Sequence, residues 1–496
     1  MTNIITRSSA LALKKETVEG TPVVPTASTD YMKLQDDFSM EPNFEELENA
    51  EASSSIGASK SILGAESPTA SFSGYIKGSA VEGQAPNYGP LMESLFGSEH
   101  IRSTERDTIA GSTTSLIKVA VGEGVEFARG HLMLIKDSVN NYTARFAESI
   151  SGDDITPGFN LQNAPASGVN LGLGVSYLPV NEGHPTLSVW HYMGNQGAIQ
   201  MQSGVRVVSA AVNVTAGQLI NSNYSMEGLE YFFDPITLTA ADNVIDFNDG
   251  GALQATLEAK TYKDPHELLE TLAAAMNALS SDTITAVYDD ATGKTTIATD
   301  GITLSLLWTS ANSIGAKLGF VIASDDTGAT SYLSDNAQDY SSPQNAAYDD
   351  SDPLAAKGHE VLLGDAEDTT CFGPSTFDIN FTSTKAINPD ICASSGQSGS
   401  LITGRVIDIS MSFLLQKYDA DKFKRFRKGQ NIKFQSTHGL KTGGNWIPGK
   451  VCAFFSPTMT ISSLTYGDLD GQVEVSITLK AYVDSNGNSE FYFGQV

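Results

Sequence analysis

Two stretches of this 496-residue chain spell the same order of elements. From Pro374 to Val483 the pattern reads strand, long polar loop, strand, short helix, strand and a final hairpin. The same order runs from Tyr31 to Phe232 around a longer interruption. Two copies of one β-unit, in an acidic chain without an active-site motif, point to self-assembly rather than catalysis.

The strands carry the argument through alternation. In Gly404–Gln416, Ile407, Ile409, Met411 and Phe413 fall on one face, and Asp408, Ser410 and Ser412 on the other, the mark of a half-buried strand. Its earlier counterpart, Ser67–Gly78, sets Ala70, Phe72 and Ile76 against Thr69, Ser71, Ser73 and Lys77. A short helix follows each. The later one has Asp419 as a candidate cap, Phe423 and Phe426 facing inward, and Lys422, Lys424, Arg425, Arg427 and Lys428 ahead of Gly429. Cations before a glycine stop suit the helix dipole and the C-cap geometry. Without interleaved aromatics this basic cluster reads as a solvated face or a subunit salt-bridge surface rather than a nucleic-acid groove reader. The earlier helix sets Tyr88, Leu91, Met92, Leu95 and Phe96 at helical spacing before Gly97. Both units close on alternating strands: Val208, Ala210, Val212 and Val214 in the first, Val473, Val475, Ile477 and Leu479 in the second.

Composition narrows the class. Charged residues make up 18% and glycines number 45, which fits a β-rich, loop-rich structural protein. The net charge of −28 divides as −12 over 1–232, −14 over 233–350 and −2 over 351–496. Such a surface repels phosphates, since tight nucleic-acid binding needs cations that displace condensed counterions. No window approaches a transmembrane span and the N-terminus has no signal-peptide core, so folding in the cytoplasm of the producing cell is expected. Cys371, Cys392 and Cys452 fit neither a disulfide framework nor a zinc pattern.

Residues 1–30, with Thr21-Pro22-Val23-Val24-Pro25-Thr26, read as an extended N-terminal arm, lying on a neighbour in a multimer. Residues 31–232 form the first β-domain, interrupted at 113–179 by a β subdomain with strands near Leu116–Ala120, His131–Lys136, Tyr142–Ser149 and Leu171–Leu178. Two long loops, Glu41–Glu66 and Ala386–Leu401, occupy the same place in both units and are expected to contact another subunit. Residues 233–350 read as an inserted α+β module. Asp264-Pro265 opens a helix carrying Leu268, Leu269, Leu272, Met276 and Leu279, a hairpin follows, and 324–352 is an acidic linker. Residues 351–496 form the second β-domain. The fold class is mainly β, with two tandem β-sandwich or barrel domains, each with a short flanking helix, plus inserted β and α+β modules.

No phosphate loop, nucleophile elbow, zinc-protease helix or dinucleotide fingerprint occurs. Asp468-Leu469-Asp470-Gly471 and the run from Asp484 to Glu490 are calcium-loop-like only in composition, and both fall where hairpin turns are expected. No catalytic residue, metal ligand or cofactor is assigned.

The opening Lys15-Glu16-Thr17-Val18-Glu19-Gly20-Thr21-Pro22, the acidic segment through Glu45-Glu46, the pattern Gly204–Gly228 and the terminal Val473–Phe493 together resemble the major tail tube proteins of long, non-contractile-tailed (siphovirus-type) bacteriophages, in their two-domain trimeric variant. The likeness covers both units, about two thirds of the chain, and rests on the order of elements more than on identity. It implies a virion structural protein of the phage tail, assembled in the host bacterial cytoplasm. Stacked rings would join their inner sheets into a β-barrel channel for DNA ejection. The implied partners are the chain itself, the tape-measure protein, tail-end proteins, and genomic DNA in transit without sequence-specific binding, with no membrane. Asn221, Asn223, Ser225 and Glu227 in the first unit, and Gln472, Glu474 and Ser476 in the second, are the candidate lumen-facing residues. Glu45, Glu46, Glu48, Glu51, Ser394, Gln397 and Ser398 are the candidate ring-stacking loop residues. The rival readings are a baseplate or receptor-binding component that grips the host surface, and an enzyme acting on surface polysaccharide.

Overall fold

The computed structural model describes residues 9–35, 37–51, 60–139, 141–194, 198–340, 346–349, 351–415, 420–485 and 487–496, the side chains of 420–423 excepted. The candidate helix cap Asp419 and the side chain of Phe423 therefore lie outside the described residues.

The fold is mainly β, and its largest sheet is built on strict alternation. In the first segment the strands are β1 (Ala10–Lys15), β2 (Ser39–Glu41), β3 (Phe44–Leu47), β4 (Ile62–Glu66) and β5 (Thr69–Tyr75). Helix α1 (Gly89–Phe96) follows, then β6 (Gly97–Arg102), β7 (Gly174–Pro179), β8 (Leu187–Met193), β9 (Ala198–Thr215) and β10 (Asn221–Glu227). Farther along come helix α2 (Pro265–Asn277), β11 (Glu360–Gly364), β12 (Thr376–Pro389) and β13 (Gln397–Leu414). Helix α3 (Ala420–Lys428), β14 (Ile432–Thr442), β15 (Asn445–Leu469), β16 (Gln472–Ala481) and β17 (Tyr492–Gln495) follow.

The two segments pair in the same order, antiparallel throughout. In the first, β1 pairs with β8, β8 with β9, β9 with β10, β10 with β5 and β5 with β2. In the second, β11 pairs with β14, β14 with β15, β15 with β16, β16 with β13 and β13 with β12. The long strands β9 and β15 each change partners along their length, β9 from β8 to β10 and β12, β15 from β14 and β17 to β16, and both contribute to a shared apolar core. That core includes Phe72, Tyr224, Val212, Ile379, Ile409, Met411, Ile477 and Leu479, all buried. α1 lays Leu91, Met92, Leu95 and Phe96 into it and stops at Gly97, whose φ of 103° is a left-handed conformation that a side chain would strain.

Three expectations need correction. The first is the N-terminal arm: Ala10–Lys15 is not an arm but a strand inside the sheet, pairing with β8 and with Tyr31–Met32. Ala10, Leu11, Ala12 and Leu13 are all buried, because small and apolar residues alternate closely enough to pack on both faces. The segment after it docks on its own chain, with Trp190 Nε1 donating to the Val23 carbonyl at 3.0 Å. The second is the pair of long loops, which are hairpin arms: β3 pairs with β4, and β12 with β13 as far as Pro389 and Gln397. The third concerns the inserted β subdomain. Its own four-stranded sheet runs Ile117–Lys118, Asp154–Pro157, Tyr142–Ser151, Leu132–Lys136. The strand expected near Leu171–Leu178 is β7, which belongs to the large sheet between β6 and β17.

The α+β module has a separate core around Leu268, Leu269, Leu272, Met276, Trp308 and Phe320. Asp264 caps α2, accepting from Glu267 N at 2.8 Å, with Pro265 in the first turn where its missing N–H costs nothing. Leu279, expected on the buried side, is exposed beyond the helix end. Strands Asp326–Ala329 and Ser331–Leu333 pair into this module, so the expected acidic linker begins later than residue 324.

His438 and His359 meet in the second segment with their Nδ1 atoms 2.7 Å apart, and His438 sits against the rings of Phe377 and Phe454. Burial drives both imidazoles to the neutral form: it lowers His359 to about 4, helped by the Lys441 charge, and holds His438 well below its ordinary value, helped by His359. The unfolded chain, with histidines near 6.5, binds more protons than the folded one below that pH, so acid removes stability. The unfolding midpoint is expected to fall as pH drops from about 6.5 towards about 4, and His359→Asn/His438→Asn to flatten that part of the curve. Denaturant melts across this range check it; identical pH profiles for the two proteins would contradict it.

Candidate functional site

Strand β9 is shared. It pairs with β10 on one side and with β12 on the other, from Ser209 opposite Thr382 to Thr215 opposite Thr376. Within the large sheet this seam makes one continuous run of eight strands from both segments, in the order β2-β5-β10-β9-β12-β13-β16-β15. Directly opposed residues of antiparallel strands share a face. The register therefore links Asn221 to Asn213, Asp378, Ser410 and Thr478, and Thr376 to Ser412 and Ser476. Glu474 lies opposite Leu414 on the same face, two residues from Ser476.

All seven candidate lumen residues consequently sit on one face of one sheet. Asn223 and Ser225 are exposed between buried Ser222, Tyr224 and Met226, and Gln472 is exposed at the tip of the last hairpin. The polar side chains are tied across the strands. Ser73 Oγ lies between the Asp37 carboxylate and Asn223 Oδ1, 2.7 Å from the latter. Asn223 Nδ2 donates to Asn213 Oδ1 at 3.0 Å, and Asn213 Nδ2 donates to Asp378 Oδ1 at 2.8 Å. The Ser412 and Ser476 hydroxyls meet at 2.8 Å. The face is weighted towards acid: Asp37, Glu227, Asp378, Asp408 and Glu474 share it with Lys480 and with the buried Arg206, which lies opposite Glu227, and the mostly buried Lys385 comes within 3.6 Å of Glu227.

The candidate stacking residues divide. Glu45 and Glu46 are exposed on β3, and Glu48 and Glu51 are exposed just past it. Ser394 and Ser398 are exposed on the second arm. Gln397 is not available for contact: it is buried, and its Nε2 donates to the Glu66 carbonyl at 2.6 Å, holding the second arm against the first. A polar residue at a turn gave no sequence signal of that role. Both arms carry exposed apolar residues, Phe44, Ile62 and Leu63 on one and Ile387 and Ile391 on the other. At the opposite end of the sheet the β15–β16 hairpin exposes Tyr466, Leu469 and Val473.

Nor does any motif announce the clamp at the end of the seam, beneath the second arm. Arg206, 6% exposed, donates from Nε to Ser400 Oγ at 2.8 Å, from Nη2 to Glu19 at 2.9 Å, and from Nη1 to the His184 carbonyl. Glu19 also accepts from Ser400 N at 2.7 Å. Glu16 accepts from Gly20 N, Gly204 N, Thr186 Oγ1 and Ser188 Oγ at 2.8 to 2.9 Å. Burial pushes its carboxyl up even against those four hydrogen bonds. An arginine between Val205 and Val207 in an apolar run is the one trace of this clamp in the sequence.

Among the described residues no group of three or more His, Cys, Asp or Glu side chains could hold a metal. In the two calcium-like runs, Asp468 accepts from Gly471 N and Asp484 pairs with Arg129, so both carboxylates serve the turns. Also among the described residues, β15 beyond Ile461 has a partner on one side alone, and so has β2. Among the described residues this eight-strand run thus ends in two open edges, β2 and the second half of β15.

No family model and no curated protein matches this chain. Among solved structures, a chain from the virion of a native gene transfer agent particle is similar over 25% of this chain and 92% of its own, at 18% identity and TM-score 0.19. The SPP1 tail tube is similar over 25% of this chain and 72% of its own, at 20% identity and TM-score 0.18. At such scores the function has to be argued from the geometry.

Removing the clamp has a definite expected cost. Arg206→Ala leaves the partly buried Glu19 without its cation and Ser400 and the His184 carbonyl without their donor, and should lower stability by about 2 kcal/mol. A denaturant melt measures this; a loss within about 0.5 kcal/mol, the range of a surface substitution, would contradict it.

Proposed function

We propose that the chain is a structural protein of a phage-type tail: it polymerises as stacked rings into a hollow tube whose wall is the eight-stranded sheet. The observation that carries this reading is that both segments share one sheet, apolar on the core face, polar and acidic on the other, and open at both edges. An open edge is a standing invitation to another strand, and closing a ring of copies removes it. On this reading residues 31–232 and 351–496 are two domains of one kind, and 113–179 and 233–350 are insertions. Asn221, Asn223, Ser225, Glu227, Gln472, Glu474 and Ser476 face the channel. An acidic, neutral-polar lining lets DNA pass without holding it, because there are too few cations to displace its counterions. The tape-measure protein would occupy the same channel during assembly. Glu45, Glu46, Glu48, Glu51, Ser394 and Ser398 lie on the arms that would reach neighbouring copies, in the same ring and in the next.

Strand arithmetic favours three copies per ring. Eight strands per chain give 24 in a trimer; at about 4.8 Å spacing and roughly 40° tilt the backbone barrel is about 50 Å across. That leaves room for a double helix inside side chains. Six copies would double the width.

Electron microscopy of the concentrated protein, with and without a tail-initiator complex, tests this. Hollow rings or tubes of three copies with six similar inner lobes are expected. Monomers under every condition would overturn the reading, and six copies per ring would overturn the three-copy arithmetic.

A further inference from the structure

The seam inside the chain is a template for the contact between chains. By pairing order β9 corresponds to β15, β12 to β2, and α1 to α3. Inside the chain, β9 takes β12 along its free side. Helix α1, packed on β9, then reaches across the seam to the second segment. The Phe96 ring lies 5.5 Å from that of Phe381, and Arg405 Nη1 donates to the Phe96 carbonyl at 2.8 Å. At the outer edge β15 has no such strand among the described residues, but α3 packs on it as α1 packs on β9.

Applying the internal arrangement outward, the strand that completes β15 is β2 of a second copy. The element that α3 then meets is that copy's first arm, β2–β3. The chemistry of the two sides has changed relative to the inner seam. The last turn of α1 is Leu95 and Phe96; that of α3 is Arg425, Arg427 and Lys428. Lys424, Arg427 and Lys428 are exposed, while Arg425 is held by Asp365. The first arm exposes Glu41, Glu45 and Glu48, where the second segment's hairpin carries Arg405 against α1.

We infer that, resting on the assembly reading above, the contact between neighbouring copies in a ring is a charge seam: the basic face of α3 docks on the acidic first arm of the next copy. At the inner seam the end of the helix makes an apolar ring contact, Phe96 on Phe381; at the outer one the contact is charged, screened by salt and selective for head-to-tail order. Complementary charge sets partner choice and encounter rate more than raw affinity. This gives the near-neutral second segment and the acidic first one a common purpose.

The test is a charge swap at exposed positions of the full chain. Lys424→Glu/Arg427→Glu/Lys428→Glu and, separately, Glu41→Lys/Glu45→Lys/Glu48→Lys are each compared with wild type. Assembly is followed by sedimentation and microscopy at low and at high salt. Each triple variant should assemble at least about tenfold more weakly at low salt, with monomer melting unchanged, and the chain bearing both reversals should recover most of the loss. Wild-type assembly should weaken as salt rises, a readout that survives should a variant misfold. Wild type that assembles while both triple variants assemble equally well, or a double reversal that is merely additive, overturns this inference alone. Wild type that never assembles overturns the assembly reading and this inference together.

Discussion

The constraint on which the large sheet depends is the antiparallel seam between β9 and β12. It joins strands of the two segments into one run of eight, from β2 to β15, and β7 with β17 makes a second link between the segments. Val212 and Val214 face Ile379 and Phe377 across it, so the core is continuous under both segments. The seam is pinned at one end by an ion pair between buried Arg206 and partly exposed Glu19, which also ties in Ser400 from the second arm. A pair of this kind contributes little over an apolar replacement, but losing one partner is costly. Its value here is register. Arg206 fits only when the N-terminal segment, β9 and the second arm are all in place.

That arrangement divides the labour between the sheet's faces. The core face supplies the stabilising burial, through side chains such as Phe72, Tyr224, Ile379 and Ile477. The polar face is freed from that duty and can be composed for another purpose. Its amide and hydroxyl ladder from Ser73 through Asn223 and Asn213 to Asp378 satisfies its own hydrogen bonds across the strands. A surface that bonds to itself in this way offers a passing polymer little to hold.

Much of this was legible because a strand's period is two. The faces of β5, β10, β13 and β16 follow from alternation alone, and so does the placing of Asn223, Ser225, Glu474 and Ser476 opposite the core. Long-range register leaves no such local mark, so nothing in the sequence says that β9 pairs with β12. The hairpin arms were illegible for a different reason: β3 and the end of β12 are exposed on both faces, so Glu45, Glu46 and Asn388 do not alternate with apolar partners. β1 was hidden by its shortness and its Pro-rich sequel. Glu16, Glu19 and Gln397 looked like surface residues because their partners come from distant strands.

The central claim is that the polar face turns inward on assembly. With Cys371 and Cys392, both exposed, replaced by serine, Asn223→Cys places one accessible thiol on that face. Its labelling by a maleimide carried on a polymer too large for the channel should be measured on monomer and on assembled tubes. The account predicts rapid labelling of the monomer and protection in the tube. Equal labelling of both would put the polar face on the outside and contradict it.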